Sequence, residues 1–319
     1  MLKLQRLALA AAGLGMLAAT AASGPAVAGG QADPAPSWAA KAAQLKGQTL
    51  TAKAAAAACG QTVGWPTATN VVESVDIFPA KPPTAEAYEP INFVATRTSA
   101  TWYMAWNASG TQTWFSGLFL QGSNLYRHTT YIREASIDAT FKKVGTGWSS
   151  FNSIATSNYS VAQPRHAYLY GLNANGSLYR WSQVNGGFKA LGSFAGFRSF
   201  KAMTVISETA TYDTLLMTTK AGALYTIRIP VTAAAKPVVK LIRSSGWGAY
   251  ESLATQSCGT RGGTLVVGVD HDTDSGYQYA FSHANGTATQ ITSYGKVPAV
   301  FNGTNHVSFT TYFDQLFGE

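Results

Sequence analysis

The stretch that decides the fold reads WSSFNSI at residues 148–154, and it returns as FRSFKAM at 197–203 and as WGAYESL at 247–253. The steps between the copies are 49 and 50 residues, and the spacing aromatic–x–x–aromatic–x–x–aliphatic is kept each time. A fixed period of this length indicates units that stack or repeat around an axis. We expect six repeat positions to fill the core between units: Phe151, Phe200, Tyr250, Ile154, Met203 and Leu253.

Each period holds four short strand patterns separated by turn residues. In the unit that starts at Phe151, the predicted strands are 151–156, 167–172, 177–181 and 188–191. An Asn-Gly pair after the second strand favours a tight hairpin turn. Similar patterns follow Met203 and Leu253, where the fourth strand begins at Thr287, and another starts at Trp102. Four strands per ~50 residues predict the blade of a β-propeller.

The two ends of the chain each hold about half a unit. Strands are predicted near 71–78 and 91–96 at one end, and over 307–313 at the other. Combined, the two pieces would make one more blade, close the ring and leave no free edge strand. The predicted fold is therefore all-β, a five-bladed β-propeller with four-stranded blades over residues 59–319, closed by strands from both termini.

The first 58 residues are expected to lie outside the propeller. Residues 1–28 have the basic start, apolar stretch and small-residue cleavage site of a secretory signal peptide, which predicts a secreted, extracellular protein. Residues 29–58 combine a Gly/Pro/Ala linker with an alanine-rich segment that predicts a weak helix. No later stretch has the ~18 apolar residues of a membrane span.

Composition restricts the class of partner. Charged residues make up 12% of the chain, and the formal net charge is +8. The basic residues are scattered rather than clustered, so nucleic acid is not expected as a partner. A hydroxyl-rich and aromatic-rich surface with few charges is found on secreted β-scaffolds and also on sugar-binding surfaces, and both interpretations stay open.

The chain has two cysteines, Cys59 and Cys258. In an exported protein an even pair usually forms a disulfide. Closure of the ring by both termini would bring Cys59 next to the unit that carries Cys258.

Two motifs resemble those of the tachylectin-like lectins over residues 100–294. They are Gly-aromatic pairs at Gly147-Trp148 and Gly246-Trp247, and Gly-x-Leu-Tyr strands that end at Tyr179 and Tyr225. The resemblance implies a five-bladed propeller that binds N-acetylated amino sugars between blades. Phe197 replaces the Trp of the pattern, and the aromatic is absent near Val297, which implies fewer working sites than blades.

Aromatic residues are the candidate glycan-binding groups, because sugar C–H faces stack on rings while amides and hydroxyls supply hydrogen bonds. The candidates are Trp148, Trp247, Tyr179, Trp181 and Tyr225, with Asn175 as an amide. The alternative is that these rings only pack between adjacent sheets. Several weak sites would give avidity toward a repeating target. The expected partner is a glycan or cell-wall polysaccharide, and we also expect the protein to be a monomer.

Three acidic residues alternate in one turn: Asp270, Asp272 and Asp274. Such spacing resembles the start of a calcium loop. Gly276 comes one position too late for an EF-hand, and Phe281 stands where its glutamate belongs. Calcium and a solvated acidic turn both stay open, and no other cofactor is expected.

No catalytic motif stands out. The five histidines are scattered, and the chain lacks a Gly-x-Ser-x-Gly elbow and a Gly-rich phosphate loop. We expect non-catalytic glycan recognition. One alternative is a hydrolase or lyase that acts on polysaccharide in the central funnel, which two facing carboxylates would favour. Another is a protein-binding scaffold, which a large exposed apolar patch would favour.

Overall fold

The computed structural model describes residues 59–318, except residues 68, 70, 89, 95, 108–111, 134–135, 185, 233–235, 259–262, 304, 312–314 and 317. The predicted signal peptide and the linker or weak helix, residues 1–58, lie outside the described residues. Within the described part, the chain is all-β, with a short 3-10 helix at Gly286–Ala288. No helix in this part has the length and hydropathy needed to cross a membrane.

The described residues before the first repeat form nine strands. They are β1 (Gln61–Pro66), β2 (Val71–Phe78), β3 (Thr84–Ala87), β4 (Ile91–Asn92), β5 (Thr98–Ser99), β6 (Trp102–Trp106), β7 (Gln112–Gln121), β8 (Asn124–Arg133) and β9 (Ser136–Thr146). Strand β2 has the predicted bounds, and β6 begins at Trp102 as predicted. The sequence analysis missed β1, because Gly64 and Pro66 disfavour a strand interior. It also missed β3, whose Thr-Ala-Glu-Ala sequence has low strand propensity.

Each of the three repeats forms one antiparallel sheet of four strands paired in chain order. The first sheet contains β10 (Phe151–Tyr159), β11 (His166–Asn173), β12 (Leu178–Val184) and β13 (Gly187–Phe194). The second contains β14 (Phe200–Glu208), β15 (Tyr212–Thr219), β16 (Leu224–Pro230) and β17 (Val238–Arg243). The third contains β18 (Ser252–Ser257), β19 (Gly263–Asp270), β20 (Ser275–Ser282) and β21 (Gln290–Lys296). Four strands per period are confirmed. The predicted start of the last strand at Thr287 was wrong, because that segment forms the 3-10 helix.

The two ends of the described chain meet in one sheet. Strand β22 (Val307–Thr311) pairs antiparallel with β1, with Ser308 opposite Val63, and parallel with β6, with Phe309 opposite Trp102. The prediction that strands from both ends share a sheet is confirmed. The sheet is larger than expected, because the β22–β6 pair joins β22-β1-β2-β3 to β6–β9 and gives ten strands with β4 and β5.

The first strands of successive sheets lie side by side. Strand β10 contacts β5 and β14, β14 contacts β18, and β18 contacts β22, which pairs with β6. Several four-stranded sheets whose first strands follow one another in this order are consistent with a β-propeller.

Each repeat begins with the same backbone link to the sheet before it. The N–H of its first residue donates to a turn carbonyl between the second and third strands: Trp148 to Ser123 (2.9 Å), Phe197 to Gly176 (2.8 Å) and Trp247 to Gly222 (3.0 Å). Val297 makes the matching bond to Gly276 (2.8 Å), the second residue of β20. The glycines before the three aromatics have positive φ: Gly147 (80°), Gly196 (96°) and Gly246 (91°). Only glycine adopts this conformation readily, which explains the repeated Gly-aromatic pair.

The repeat positions predicted to fill the core are confirmed. Their six side chains are all buried: Phe151, Phe200, Tyr250, Ile154, Met203 and Leu253. Glycines in the second strands make room for two of the rings. A Cβ atom on Gly171 would lie 2.8 Å from Phe151, and one on Gly268 would lie 2.8 Å from Tyr250.

Cys59 and Cys258 form a disulfide, with Cα atoms 5.1 Å apart, as predicted. The bond joins the segment before β1 to the end of β18. Two hydrogen bonds hold the same junction. Gln61 Nε2 donates to the carbonyl of Ala254 at 2.7 Å, and the Thr62 N–H donates to Gln256 Oε1 at 3.0 Å.

Candidate functional site

A cavity of about 220 Å³ lies where the first strands of the sheets converge. We call it the axial cavity. Its wall is formed by residues 97–101, 152–155, 202–204, 251–253 and 305–308, together with His271. Because these segments come from every sheet, the fold as a whole builds the cavity.

Three buried polar atoms from cavity-lining residues have no hydrogen-bond partner among the described residues. They are Asn305 Nδ2, His306 Nε2 and Ser308 Oγ. Nearly all buried polar groups in folded proteins are paired, and an unpaired one costs about 1–3 kcal/mol. These atoms have almost no accessible surface, so a polar ligand in the cavity would supply the missing partners once the side chains turn toward it.

Two imidazole rings meet at the cavity wall. His271 Nε2 lies 3.1 Å from His306 Nδ1 and 3.0 Å from Ser252 Oγ. Burial lowers the pKa of His306 well below its usual range, and the neighbouring His271 lowers this pKa further. Burial also lowers the pKa of His271, although the carboxylates of Glu251, Asp270 and Asp274 act in the opposite direction. Both rings are therefore neutral at pH 7, and one proton serves the two facing nitrogens.

Glu251 is the carboxylate found among the described cavity-lining residues. Its Oε1 lies 2.7 Å from Lys201 Nζ, and its Oε2 accepts the backbone N–H of His271 at 3.1 Å. Lys201 also donates to the carbonyl of Gly248. The charge of Glu251 is thus balanced by Lys201, and both of its oxygens already accept a hydrogen bond.

Arg97 stands at the edge of the cavity and joins two sheets through backbone carbonyls. Its Nε donates to Gly122 (3.3 Å), its Nη2 to Trp148 (2.6 Å) and its Nη1 to Phe151. The described residues place no carboxylate within ion-pair distance of this guanidinium. Three of its five N–H donors are used, so two stay available.

Trp148 and Trp247, the first predicted glycan-binding residues, lie inside the cores between sheets. They are 5% and 6% exposed. The ring of Trp148 lies 4.7 Å from that of Trp181, and the ring of Trp247 lies 4.8 Å from that of Tyr279. Protein atoms cover both indoles, so little ring face is open to a sugar, and their glycan-binding role stays a prediction.

Tyr179, Trp181 and Tyr225 are only partly buried. Tyr179 stacks on Trp181 with ring centroids 5.7 Å apart, and Tyr225 packs against Phe200 at 5.4 Å. The third strand of the third sheet, β20, places two further rings at positions equivalent to Tyr179 and Trp181. These are Tyr277 and Tyr279, which the sequence analysis missed. Alternating aromatics in the segment Tyr-Gln-Tyr were the signal that could have revealed them.

Asn175, the predicted amide, lies in the turn between β11 and β12 and is exposed. Its Oδ1 accepts the N–H of Ser177 at 2.9 Å, and its own N–H donates to Asn173 Oδ1 at 3.0 Å. These bonds stabilise the turn. A role in glycan binding stays a prediction.

The predicted calcium residues Asp270, Asp272 and Asp274 lie in and beside the β19–β20 turn. Asp270 Oδ1 accepts the N–H groups of Asp272 and Thr273 at 3.0 and 3.3 Å. In the part of the chain that the structure describes, no three His, Cys, Asp or Glu residues are grouped to hold a metal ion. Calcium at this turn stays a prediction. The same turn carries His271 to the axial cavity, a role that the sequence analysis missed.

No protein-family model matches the chain, and no curated protein matches it. Among solved structures, the chain is similar to the catalytic domain of the Coprinopsis cinerea GH62 alpha-L-arabinofuranosidase, with 13% identity and a TM-score of 0.42 over 62% of this chain and 68% of that chain. It is also similar to the SapL1 lectin in complex with alpha methyl fucoside, with 12% identity and a TM-score of 0.40 over 73% and 79%. A third is the Aleuria aurantia lectin, with 12% identity and a TM-score of 0.41 over 74% and 78%. With TM-scores below 0.5, these similarities assign neither a family nor a function.

Proposed function

We propose that this protein is a secreted, non-catalytic, carbohydrate-binding β-propeller that holds one sugar unit in the axial cavity. The observation that carries the proposal is the polar wall of that cavity. Asn305, His306 and Ser308 each leave a buried polar atom without a partner among the described residues. A sugar hydroxyl both donates and accepts hydrogen bonds, so a single sugar ring can satisfy an amide, an imidazole and a hydroxyl together.

The size of the cavity suits a small ligand. Its volume of about 220 Å³ lies below the ~300–1,000 Å³ typical of pockets for drug-sized molecules. A terminal or single sugar residue is therefore a better match than an oligosaccharide threaded through the axis.

The proposed architecture has five blades. Three are the separate sheets β10–β13, β14–β17 and β18–β21, the fourth is β6–β9, and the fifth is β22-β1-β2-β3. The contacts that follow the order β5, β10, β14, β18 and β22, together with the β22–β6 pair, support this count. The Gly-aromatic and Gly-x-Leu-Tyr motifs support kinship with the tachylectin-like lectins.

Binding without hydrolysis is supported by the acids around the cavity. Glycoside hydrolysis usually requires two carboxyl groups that flank the scissile bond. Among the described lining residues Glu251 is the one carboxylate, and both of its oxygens are engaged. This arrangement favours recognition over the hydrolase alternative.

Export is supported by two features of the sequence and structure. Residues 1–28 have the pattern of a secretory signal peptide. The Cys59–Cys258 disulfide suits an oxidising compartment.

The half-exposed rings of Tyr179, Trp181 and Tyr225 are proposed as weaker secondary contacts for the same glycan.

A glycan array of the mature protein, followed by titration calorimetry on each glycan that binds, tests the proposal. The variant Asn152→Trp places a large ring at an exposed position of the cavity wall, and Lys189→Trp makes the same change on the exposed outer strand β13. We expect Asn152→Trp to remove binding and Lys189→Trp to retain it, with unchanged circular dichroism. The array is repeated with EDTA, which tests calcium at the Asp270 turn.

Three results would contradict the proposal. A blank array at high protein concentration would remove the carbohydrate function. Binding that survives Asn152→Trp but disappears in Trp181→Ala would move the site to the surface between sheets. Release of shorter sugars from a bound glycan, followed by NMR, would show catalysis.

A further inference from the structure

The charges at the axial cavity are not balanced. Lys201 neutralises Glu251, the carboxylate found among the described lining residues. Arg97 donates only to backbone carbonyls, and these do not cancel its charge. The cavity therefore carries about one net positive charge at neutral pH, when His271 and His306 are neutral.

Each of the three unpartnered atoms at the wall can donate a hydrogen bond. Asn305 Nδ2 is an amide nitrogen and therefore a donor only, and the amide oxygen of Asn305 accepts from Thr98 Oγ1 at 3.4 Å. Ser308 Oγ can donate its hydroxyl proton. When His271 Nε2 donates to His306 Nδ1, the remaining proton of His306 lies on Nε2 and makes that unpartnered atom a donor as well.

Part of the acceptor capacity of the same wall is already used. Both oxygens of Glu251 already accept hydrogen bonds, from Lys201 and from the N–H of His271. A ligand that brings two acceptor oxygens and a negative charge would satisfy more of this wall than a neutral hydroxymethyl group does. A carboxylate has that chemistry, with two oxygens and about four acceptor sites.

We infer that the axial cavity selects a sugar unit that bears a carboxylate, of the uronic acid class, over its neutral counterpart. The inference rests on the proposed function and adds the chemical class of the sugar. The carboxylate accepts from Asn305 Nδ2 and Ser308 Oγ, and the guanidinium of Arg97 supplies the opposite charge.

The test compares D-glucuronate with D-glucose, which differ only in the group at C6. Binding is followed by NMR through the indole N–H of Trp65, a buried ring whose centroid lies 5.7 Å from that of His306. We expect glucuronate to bind at least about tenfold more tightly, the usual effect of a hydrogen bond to a charged group. This ratio should fall as salt rises from about 0.05 to 0.5 M, because salt screens an exposed guanidinium.

Three variants identify the groups responsible. Asn305→Asp replaces the free donor by an acceptor and a negative charge, and should weaken glucuronate binding at least about tenfold more than it weakens glucose binding. Asn285→Asp makes the same change of charge beside Lys240, away from the cavity, and should bind like the wild type. Arg97→Gln, at an exposed position, lowers the glucuronate preference even if Asn305→Asp fails to fold.

The outcomes distinguish a failure of the carboxylate selectivity from a failure of the proposed sugar-binding function. Equal binding of the two sugars, or tighter binding of glucose, overturns the carboxylate selectivity and leaves the axial sugar site in place. An unshifted Trp65 signal with both sugars, combined with a blank glycan array, overturns the proposed function as well.

Discussion

Removing the Cys59–Cys258 disulfide should lower the free energy of unfolding by about 5 kcal/mol. The two cysteines are 199 residues apart in sequence, and the chain-entropy relation for a loop of that length gives about 5 kcal/mol at 25 °C. Domains are typically stable by about 5–15 kcal/mol, so the loss would be a large part of the total. The effect arises in the unfolded chain, which gains freedom when the cross-link is absent.

The assay is urea unfolding of the wild type and of the double variant Cys59→Ala/Cys258→Ala. The folded junction should persist, because Gln61 and Thr62 still bond to Ala254 and Gln256 across it. Reducing agent should shift the wild type to the stability of the double variant and leave the double variant unchanged. A loss below about 1 kcal/mol would refute the reasoning, since the junction would then be held by its noncovalent contacts alone.

Three further predictions concern the core. Burial lowers the pKa of His128 from 6.5 to about 4. The unfolded chain therefore binds a proton at this histidine at a higher pH than the folded protein does. As the pH falls from 6.5 to 4, the free energy of unfolding should decrease by up to about 3 kcal/mol, because each of about 2.5 pH steps contributes about 1.36 kcal/mol. Urea unfolding at both pH values measures this decrease. His128→Phe should show a smaller change in the free energy of unfolding with pH, and an equal change in the variant would contradict the prediction. Gly171→Ala should cost about 1–3 kcal/mol because its methyl group would lie 2.8 Å from the buried ring of Phe151; thermal unfolding should show no such loss for Gly187→Ala, where the methyl group meets its nearest atom at 3.8 Å. Trp247→Ala should cost about 3–5 kcal/mol by leaving a cavity between sheets, and a loss of sugar binding without any loss of stability would instead indicate that the indole contacts the ligand.

The period of the sequence predicted the repeated four-stranded sheets because it records a backbone requirement. Trp148, Phe197 and Trp247 each follow a glycine with positive φ and donate to the preceding sheet. The same position is visible in the structure at Val297, which keeps the N–H bond but not the aromatic ring. A side-chain pattern alone could not reveal that fourth link.

The axial cavity could be predicted only in part. One polar residue follows the second aromatic of each repeat, namely Asn152, Lys201 and Glu251. Two of these line the cavity, and the third holds Glu251 in place. This recurring polar position was a readable signal for the axis. No comparable signal in the sequence pointed to His306. Its contact with His271 depends on how β22 enters the sheet and not on local spacing.

The candidate aromatic residues show the limit of reasoning from residue type. Indole rings suit both sugar stacking and packing between sheets. The sequence cannot distinguish these uses, because burial depends on which ring the neighbouring strand brings. Trp148 is covered by Trp181, which is itself only partly buried.

A crystal structure of the protein with the best-binding glycan tests the central claim most directly. The account predicts electron density for one sugar unit in the axial cavity, within hydrogen-bond distance of Asn305 Nδ2 and Ser308 Oγ. Density on the rings of Tyr179 and Trp181, with no sugar at the axis, would contradict it.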